Sequence, residues 1–216
     1  MTEAKQLLIK RYIFFSAGLI ILSLGVTLTI KGHVLGLSPW DVLHYGLWET
    51  FGLTIGSWGI IIGAVIVIIT SIAMRKLPAA GVYINMFCIG IFIDIFNFLL
   101  PDPENLTVQI VLFCPGVIVM AFGVAFYITP NLGAGPRDSL MLVLVQKFNF
   151  KLSSARNVME LGALFFGFLL GGPVFIGTLL IVLCLGKLIE KFLPITRRML
   201  VRYLGHDDPN IIKVKN

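Results

Sequence analysis

The sequence predicts an all-α membrane protein in which six transmembrane helices form two inverted three-helix repeats, each with a short re-entrant or interfacial half-helix. Three observations predict this fold: the composition, the lengths of the uncharged segments and an internal duplication. Of the 216 residues, 57% are hydrophobic and only 13% are charged. Soluble proteins average about 45–50% apolar and about 25% charged residues, so the composition indicates an integral membrane protein.

The net charge and the spacing of the cysteines and histidines indicate which partners to expect. The formal net charge of +6 does not indicate a nucleic-acid partner, because so apolar a chain usually carries its basic residues in cytoplasmic loops. The three cysteines and three histidines lack the spacing of a metal site, so we expect no metal and no cofactor. No catalytic or Walker A motif is present, which favours a protein that is not an enzyme.

The uncharged segments set the number of spans. A helix needs about 20 apolar residues to cross the hydrocarbon core of a bilayer. Three uncharged segments qualify, at 12–30, 56–74 and 106–129, and 77–100 also qualifies if Asp94 is tolerated near one end. The apolar run at 155–193 is too long for one span, and its Gly-Gly-Pro sequence is a turn signal that divides it into two. The sequence therefore predicts six spans.

Two further apolar segments, 38–51 and 137–149, are too short to cross the membrane, so we expect half-helices there. Placing the N-terminus in the cytoplasm puts all but one of the 17 lysines and arginines on the cytoplasmic side, with Lys31 as the exception. This distribution satisfies the positive-inside rule. We therefore expect both termini to be cytoplasmic.

An internal duplication relates the two halves of the chain. The segment "GLIILSLGVTL" at 18–28 aligns with "GVIVMAFGVAF" at 116–126, and "GVYINMFCIGIFIDIF" at 81–96 aligns with "GTLLIVLCLGKLIEKF" at 177–192. Ordered matches in separate segments are typical of an internal repeat. Because each repeat holds three spans, an odd number, the two repeats must insert in opposite orientations.

The duplication divides the chain into three parts. Residues 1–104 form the first repeat with half-helix 38–51, residues 105–194 form the second with half-helix 137–149, and residues 195–216 form a basic cytoplasmic tail. Inverted repeats are typical of secondary transporters, in which broken helices point at a substrate near the middle of the membrane.

Both half-helices begin with the pattern Gly-x-x-Pro-x-Asp, in "GLSPWDVLHYGL" at 36–47 and in "GAGPRDSLMLVL" at 133–144. In the first copy Ser38 is the predicted N-cap, and Asp41 occupies the third helical position. Asp138 holds the equivalent place in the second copy. Two interpretations remain open: the carboxylates only cap short helices, or they exchange protons or hold a cation at a positive helix end.

The candidate contacts for a substrate or ion are Asp41, Asp138, Arg137, Trp40, His44 and Glu160. Arg137 either binds an anionic group or faces water and lipid phosphate. His44 either relays protons or packs in the core. Glu160 either serves the site or pairs with Arg156, four residues earlier. We expect Asn85 to hydrogen-bond between helices.

The two Gly-x-x-Pro-x-Asp elements, with "TIGSW" at 54–58 after the first, resemble the bacterial YczE/YyaS/YitT family of small integral membrane proteins, particularly its YczE-like branch. The resemblance covers residues 12–193. It implies a location in the bacterial plasma membrane and a multi-helix fold, and it implies no reaction.

The expected function is secondary transport of a small solute or ion, and proton coupling through one carboxylate is the simplest mechanism that the residues allow. The alternative is a non-transporting accessory or regulatory protein that acts on a partner complex. An intramembrane enzyme ranks third. The expected partners are the lipid bilayer and a small substrate, and small-residue helix faces permit either a monomer or a homodimer.

Overall fold

The computed structural model describes residues 3–133, 135–206 and 208–212. These ranges hold eight α-helices and a short 3-10 turn at His33–Leu35, with no strand among them, so the all-α class is confirmed. The helices are α1 Glu3–Lys31, α2 Pro39–Phe51, α3 Ile55–Met74, α4 Ala80–Leu99, α5 Leu106–Ile128, α6 Pro136–Phe148, α7 Leu152–Leu169 and α8 Ile176–Leu204.

Four of these helices are long and apolar enough to cross a membrane: α1, α3, α4 and α5. They coincide with the first four predicted spans. The long apolar run that follows is divided as predicted, because α7 ends before Gly171, whose φ of 84° turns the chain. The helix after this turn is longer than expected. α8 continues to Leu204, so the first part of the predicted tail is helical.

Helices α1 and α5 form the centre of the bundle and pack through glycines. A methyl group on Gly18 would overlap the backbone of Tyr127, and one on Gly123 would overlap the backbone of Leu22. Gly25 and Gly116 also face the opposite helix, where an added methyl group would overlap the Met120 nitrogen and lie 3.0 Å from the Thr29 nitrogen, respectively. Small residues let two helix backbones approach closely, which is how helices associate in a membrane.

The other helices surround this central pair in a matched pattern. α4 packs on α1 as α8 packs on α5, and α2 packs on α7 as α6 packs on α3. If α1–α4 are paired in order with α5–α8, each of these contacts has a counterpart. The largest contact without a counterpart joins α3 and α4: α3 packs along α4, whereas α7 and α8 form no comparable contact in the described chain.

The bundle is closed at one end by a polar cluster around Arg11. The guanidinium donates hydrogen bonds to the Pro130 carbonyl, at 2.5 and 3.2 Å, and lies 3.5 Å from the Asp208 carboxylate. Ile211 packs against Phe14 and its neighbours, which fixes residues 208–212 on the ends of α1 and α5. We call this the Arg11 end.

The opposite end, which we call the Lys31 end, is held by a different ion pair. The Lys31 ammonium lies 2.6 Å from the Asp102 carboxylate and 3.0 Å from the Asn97 carbonyl. The Lys31 side chain is 3% exposed and that of Asp102 is 92% exposed. Lys31, the one basic residue that the positive-inside rule did not place in the cytoplasm, is therefore buried and paired.

Candidate functional site

The two half-helices begin inside the bundle and end at its surface. Trp40, in the first turn of α2, packs between Ile66 in α3 and Ala163 in α7, both well away from the helix ends. Pro136, the first residue of α6, lies against Gly63 in the middle of α3. Because α2 and α6 end at exposed phenylalanines, each helix runs from mid-depth outward, and only its N-terminus is central.

The two central N-termini touch each other. The Arg137 guanidinium in α6 lies over the indole ring of Trp40 in α2, with 4.9 Å between its central carbon and the ring centroid. This cation–π geometry is typical of Arg and Trp. The two segments that share the Gly-x-x-Pro-x-Asp pattern therefore converge on one place, which their positions in the sequence do not require.

The capping interpretation holds differently in the two copies. Ser38 occupies the N-cap position, but its hydroxyl donates to the Asp41 carboxylate and makes no side-chain bond to the helix backbone, contrary to the prediction. In the second copy the Gly135 N–H donates to the Asp138 carboxylate, which is one half of a capping box. Asp138 therefore caps its helix, whereas Asp41 is a buried carboxylate held by Ser38.

Arg137 is the electrostatic centre of the site. Its charge acts on the Asp41, Asp138 and Glu160 carboxylates, so the structure brings these predicted residues together. Its guanidinium nevertheless makes no hydrogen bond and no ion pair within 4.0 Å in the part of the chain that the structure describes, and Trp40 is its close partner. The five N–H donors of Arg137 are therefore open to a ligand.

His44 and Glu160 occupy the margin of the site. His44 is buried, and its ring lies beside Gly59 in α3, which favours packing over proton relay. Glu160 lies 4.0 Å from the exposed Arg156, the expected pair one helical turn apart. Glu160 also interacts with Asp41 and Asp138, so the pair belongs to the same cluster. Nowhere in the described ranges do three His, Cys, Asp or Glu residues approach closely enough to hold a metal ion.

Two further residues belong to the site that the sequence did not indicate. Tyr127, near the end of α5, is buried and interacts with Asp138, Arg137 and Asn85. Asn85 in α4 lies against Gly135, the N-cap of α6. Its side chain contacts Tyr127 in the neighbouring helix α5, in line with the expected bond between helices, but its buried nitrogen makes no hydrogen bond of normal geometry within the described residues. Only the three-dimensional packing identifies these two residues.

A cavity of about 190 Å³ lies outside this cluster, at the Lys31 end, and is lined by Trp48, Asp94 and Phe98 among others. The Asp94 carboxylate accepts the Thr54 hydroxyl at 2.5 Å and the Gly56 N–H at 2.9 Å. These bonds join the end of α4 to the start of α3. Asp94 therefore has a structural role at this end of the bundle.

Sequence comparison relates the chain to known proteins. The uncharacterized membrane protein YczE of Bacillus subtilis (strain 168) is 48% identical over 190 residues, 88% of this chain and 88% of that protein. The uncharacterized protein YyaS of the same strain is 33% identical over 191 residues, 87% of this chain and 94% of that protein. An uncharacterized protein of Haemophilus influenzae is 32% identical over 165 residues, 76% of this chain and 75% of that protein. No solved structure matches the chain.

The sequence profile of one family covers almost all of the helical part of the chain. The family of unknown function DUF6198 matches residues 9–194, a range that includes both half-helices and the convergent site. The resemblance inferred from the two Gly-x-x-Pro-x-Asp elements is thereby confirmed. The chain belongs to the family of unknown function DUF6198, a YczE-like group of membrane proteins.

Proposed function

We propose that this membrane protein is a secondary transporter of a small solute or ion, and that its substrate binds where the N-termini of α2 and α6 meet. The observation that carries the proposal is the contact between Arg137 and Trp40 at the start of the two half-helices. In secondary transporters the N-termini of broken helices point at the substrate near the middle of the membrane.

The matched contacts of the two halves of the chain support transport by two repeats that open alternately to the two sides of the membrane. We propose six spans in two inverted repeats, with α7 and α8 crossing as well as α1, α3, α4 and α5. Gly18 and Gly116 make equivalent close contacts with the opposite central helix, and so do Gly25 and Gly123. Such a repeat allows one set of helices to open towards each side of the membrane in turn.

The unequal packing of the outer helices supports the same proposal. α3 and α4 are packed together, whereas α7 and α8 are apart. With the Arg11 end in the cytoplasm of a bacterium, we propose that this arrangement is the transport state that is closed on the outside and open between α7 and α8. If α7 and α8 packed together while α3 and α4 separated, the site would open to the opposite side of the membrane.

Proton coupling is proposed to use the carboxylates of the site. Asp41 and Asp138 follow the half-helix starts, and ionisable groups at this depth in transporters commonly serve as proton relays. Their closeness to Arg137 links the protonation of either carboxylate to the charge of a bound solute. The chain needs no covalent chemistry for this function.

The proposal is tested with the purified protein in liposomes that enclose a pH-sensitive dye. A panel of amino acids, organic acids, amines and inorganic ions is added outside, and a proton-coupled substrate changes the internal pH. We expect the wild type to respond to one chemical class and Asp138→Asn to respond to none, with an unchanged melting temperature. The matched control is Asp102→Asn at the Lys31 end, which should retain full flux.

Two results would overturn the proposal. Undiminished flux in Asp138→Asn would remove this carboxylate from the mechanism. Silence of the wild type across the whole panel, together with a partner that co-purifies in stoichiometric amount, would favour the accessory role instead.

A further inference from the structure

We infer that the substrate carries a single carboxylate, which Arg137 binds between the two half-helices. This inference rests on the proposed transport function and adds the chemical class of the ligand.

Each carboxylate of the site already has one polar partner in the described chain. The Ser38 hydroxyl donates to Asp41, and the Gly135 N–H donates to Asp138. Glu160 lies 4.0 Å from Arg156. A cationic ligand would have to compete with these partners and approach the Arg137 charge, so the site favours a cation less than an anion.

Two donor groups of the site, on Arg137 and Asn85, lack a hydrogen bond of normal geometry in the described chain. The Arg137 guanidinium makes no hydrogen bond or ion pair in the described chain, and an arginine at membrane depth is unfavourable unless it is paired or reaches water. Its planar array of N–H groups matches a carboxylate in a two-point hydrogen bond. An acceptor ligand would therefore complete the interactions that the protein leaves open.

Asn85 gives independent support for an acceptor ligand. Its side chain is 4% exposed and contacts Tyr127, yet its nitrogen has no hydrogen bond of normal geometry among the described residues. A buried donor without a well-formed hydrogen bond destabilises a fold, so an acceptor atom of a ligand beside the N-cap of α6 would stabilise this group. We assign to Asn85 a hydrogen bond to the same substrate, on the side of Tyr127.

The charge of the site limits the ligand to one negative charge. Two helix N-termini of 13-residue helices add a positive field to that of Arg137. The three carboxylates within electrostatic reach oppose it. A dianion such as phosphate or a dicarboxylate would be repelled more strongly than a monocarboxylate, which therefore fits best.

The test measures the melting temperature of the purified full chain in detergent against matched ligands. The probes are monocarboxylates of increasing size, the corresponding uncharged amides, the corresponding alkylammonium ions, and dicarboxylates, each up to about 10 mM, since a ligand that binds only the native state raises the melting temperature. We expect a rise with one or more monocarboxylates and none with the other three classes.

Variants then locate the bound carboxylate. Arg137→Gln should abolish the shift, Arg137→Lys should keep a weaker one, and Asn85→Leu should weaken binding about tenfold through the lost hydrogen bond. Arg198→Gln, a matched change at an exposed position on α8, should bind as the wild type does.

The outcomes separate this inference from the proposed transport function. A shift with alkylammonium ions alone, an undiminished carboxylate shift in Arg137→Gln, or no shift with any monocarboxylate would overturn the inference. Flux of a cation in liposomes would overturn it while leaving transport intact. Carboxylate binding that requires Arg137, without any flux, would support the inference and overturn the transport function.

Discussion

The α3–α4 pair and the α7–α8 pair occupy matching places in the proposed repeats, yet only the first is packed. A methyl group on Gly90 in α4 would lie 2.7 Å from the Gly56 carbonyl in α3. In the second pair, nothing lies within 4 Å of such a methyl group on Gly162 or Gly186. Glycines at a helix surface therefore permit close packing but do not enforce it.

The two pairs differ in one polar contact, formed by Asp94 with Thr54 and Gly56, which we call the clasp. Asp94 joins the end of α4 to the start of α3 through Thr54 and Gly56. Its aligned counterpart in α8, Glu190, is exposed and makes no such bond in the described chain. A side chain at one helix end can thus hold a pair closed, while the opposite pair stays free to separate.

The largest expected difference between two matched variants comes from filling a glycine contact in each helix pair. Gly90→Ala places a methyl group 2.5 Å from Ile60, so we expect it to lower the free energy of unfolding by about 2 kcal/mol. Gly186→Ala fills open space and removes a glycine from a helix, so it should add about 0.5–1 kcal/mol. Unfolding by denaturant in mixed micelles measures both, and equal effects would show that α3 and α4 are not tightly packed in solution.

The ends of the central helices offer a second contrast, of intermediate size. Asp208→Asn removes the charged partner of the buried Arg11 and should destabilise the fold by about 2 kcal/mol. Asp102→Asn removes the charged partner of the buried Lys31, but that carboxylate is 92% exposed and Lys31 keeps its bond to the Asn97 carbonyl, so a smaller loss of about 1 kcal/mol is expected. Unfolding by denaturant in mixed micelles measures both losses of stability. A larger loss in Asp102→Asn than in Asp208→Asn would contradict the prediction that the Arg11 ion pair contributes more.

The smallest effect is expected at the clasp itself. Asp94→Ala removes two hydrogen bonds at a partly exposed position and should destabilise the fold by about 1 kcal/mol. Glu190→Ala should change stability by no more than about 0.5 kcal/mol, as is usual at an exposed site. If the two variants lose equal stability, the clasp does not explain the difference between the pairs.

Much of the fold could be predicted from local signals in the sequence. Uncharged segments of the required length marked α1, α3, α4 and α5, and prolines marked the starts of α2 and α6. The end of α8 was missed because its charged residues are incompatible with lipid, although Thr196, Leu200 and Leu204 recur every fourth residue and are buried on one face. That face packs on the bundle, so the four-residue spacing of these side chains was the signal that indicated the helical end of α8.

The candidate site could be predicted only where a residue carried an unusual signal. Asp41, Arg137 and Asp138 were noticed because charges are rare in apolar segments. Tyr127 and Asn85 are ordinary in a membrane helix, and their place at the start of α6 depends on how α4 and α5 pack around it. The missing hydrogen bond of Asn85 is a property of that packing alone.

The central helix pair also sets the order in which the protein can mature during synthesis. Arg11 is separated by 119 residues from Pro130 and by 197 residues from Asp208, and both are its partners in the folded chain. α1 therefore leaves the ribosome long before the helix that covers its glycine face has been made. The insertion of α1 into the membrane and its packing on α5 must therefore be separate steps. The glycine face of α1 stays uncovered until α5 and then the last turns of α8 have been synthesised.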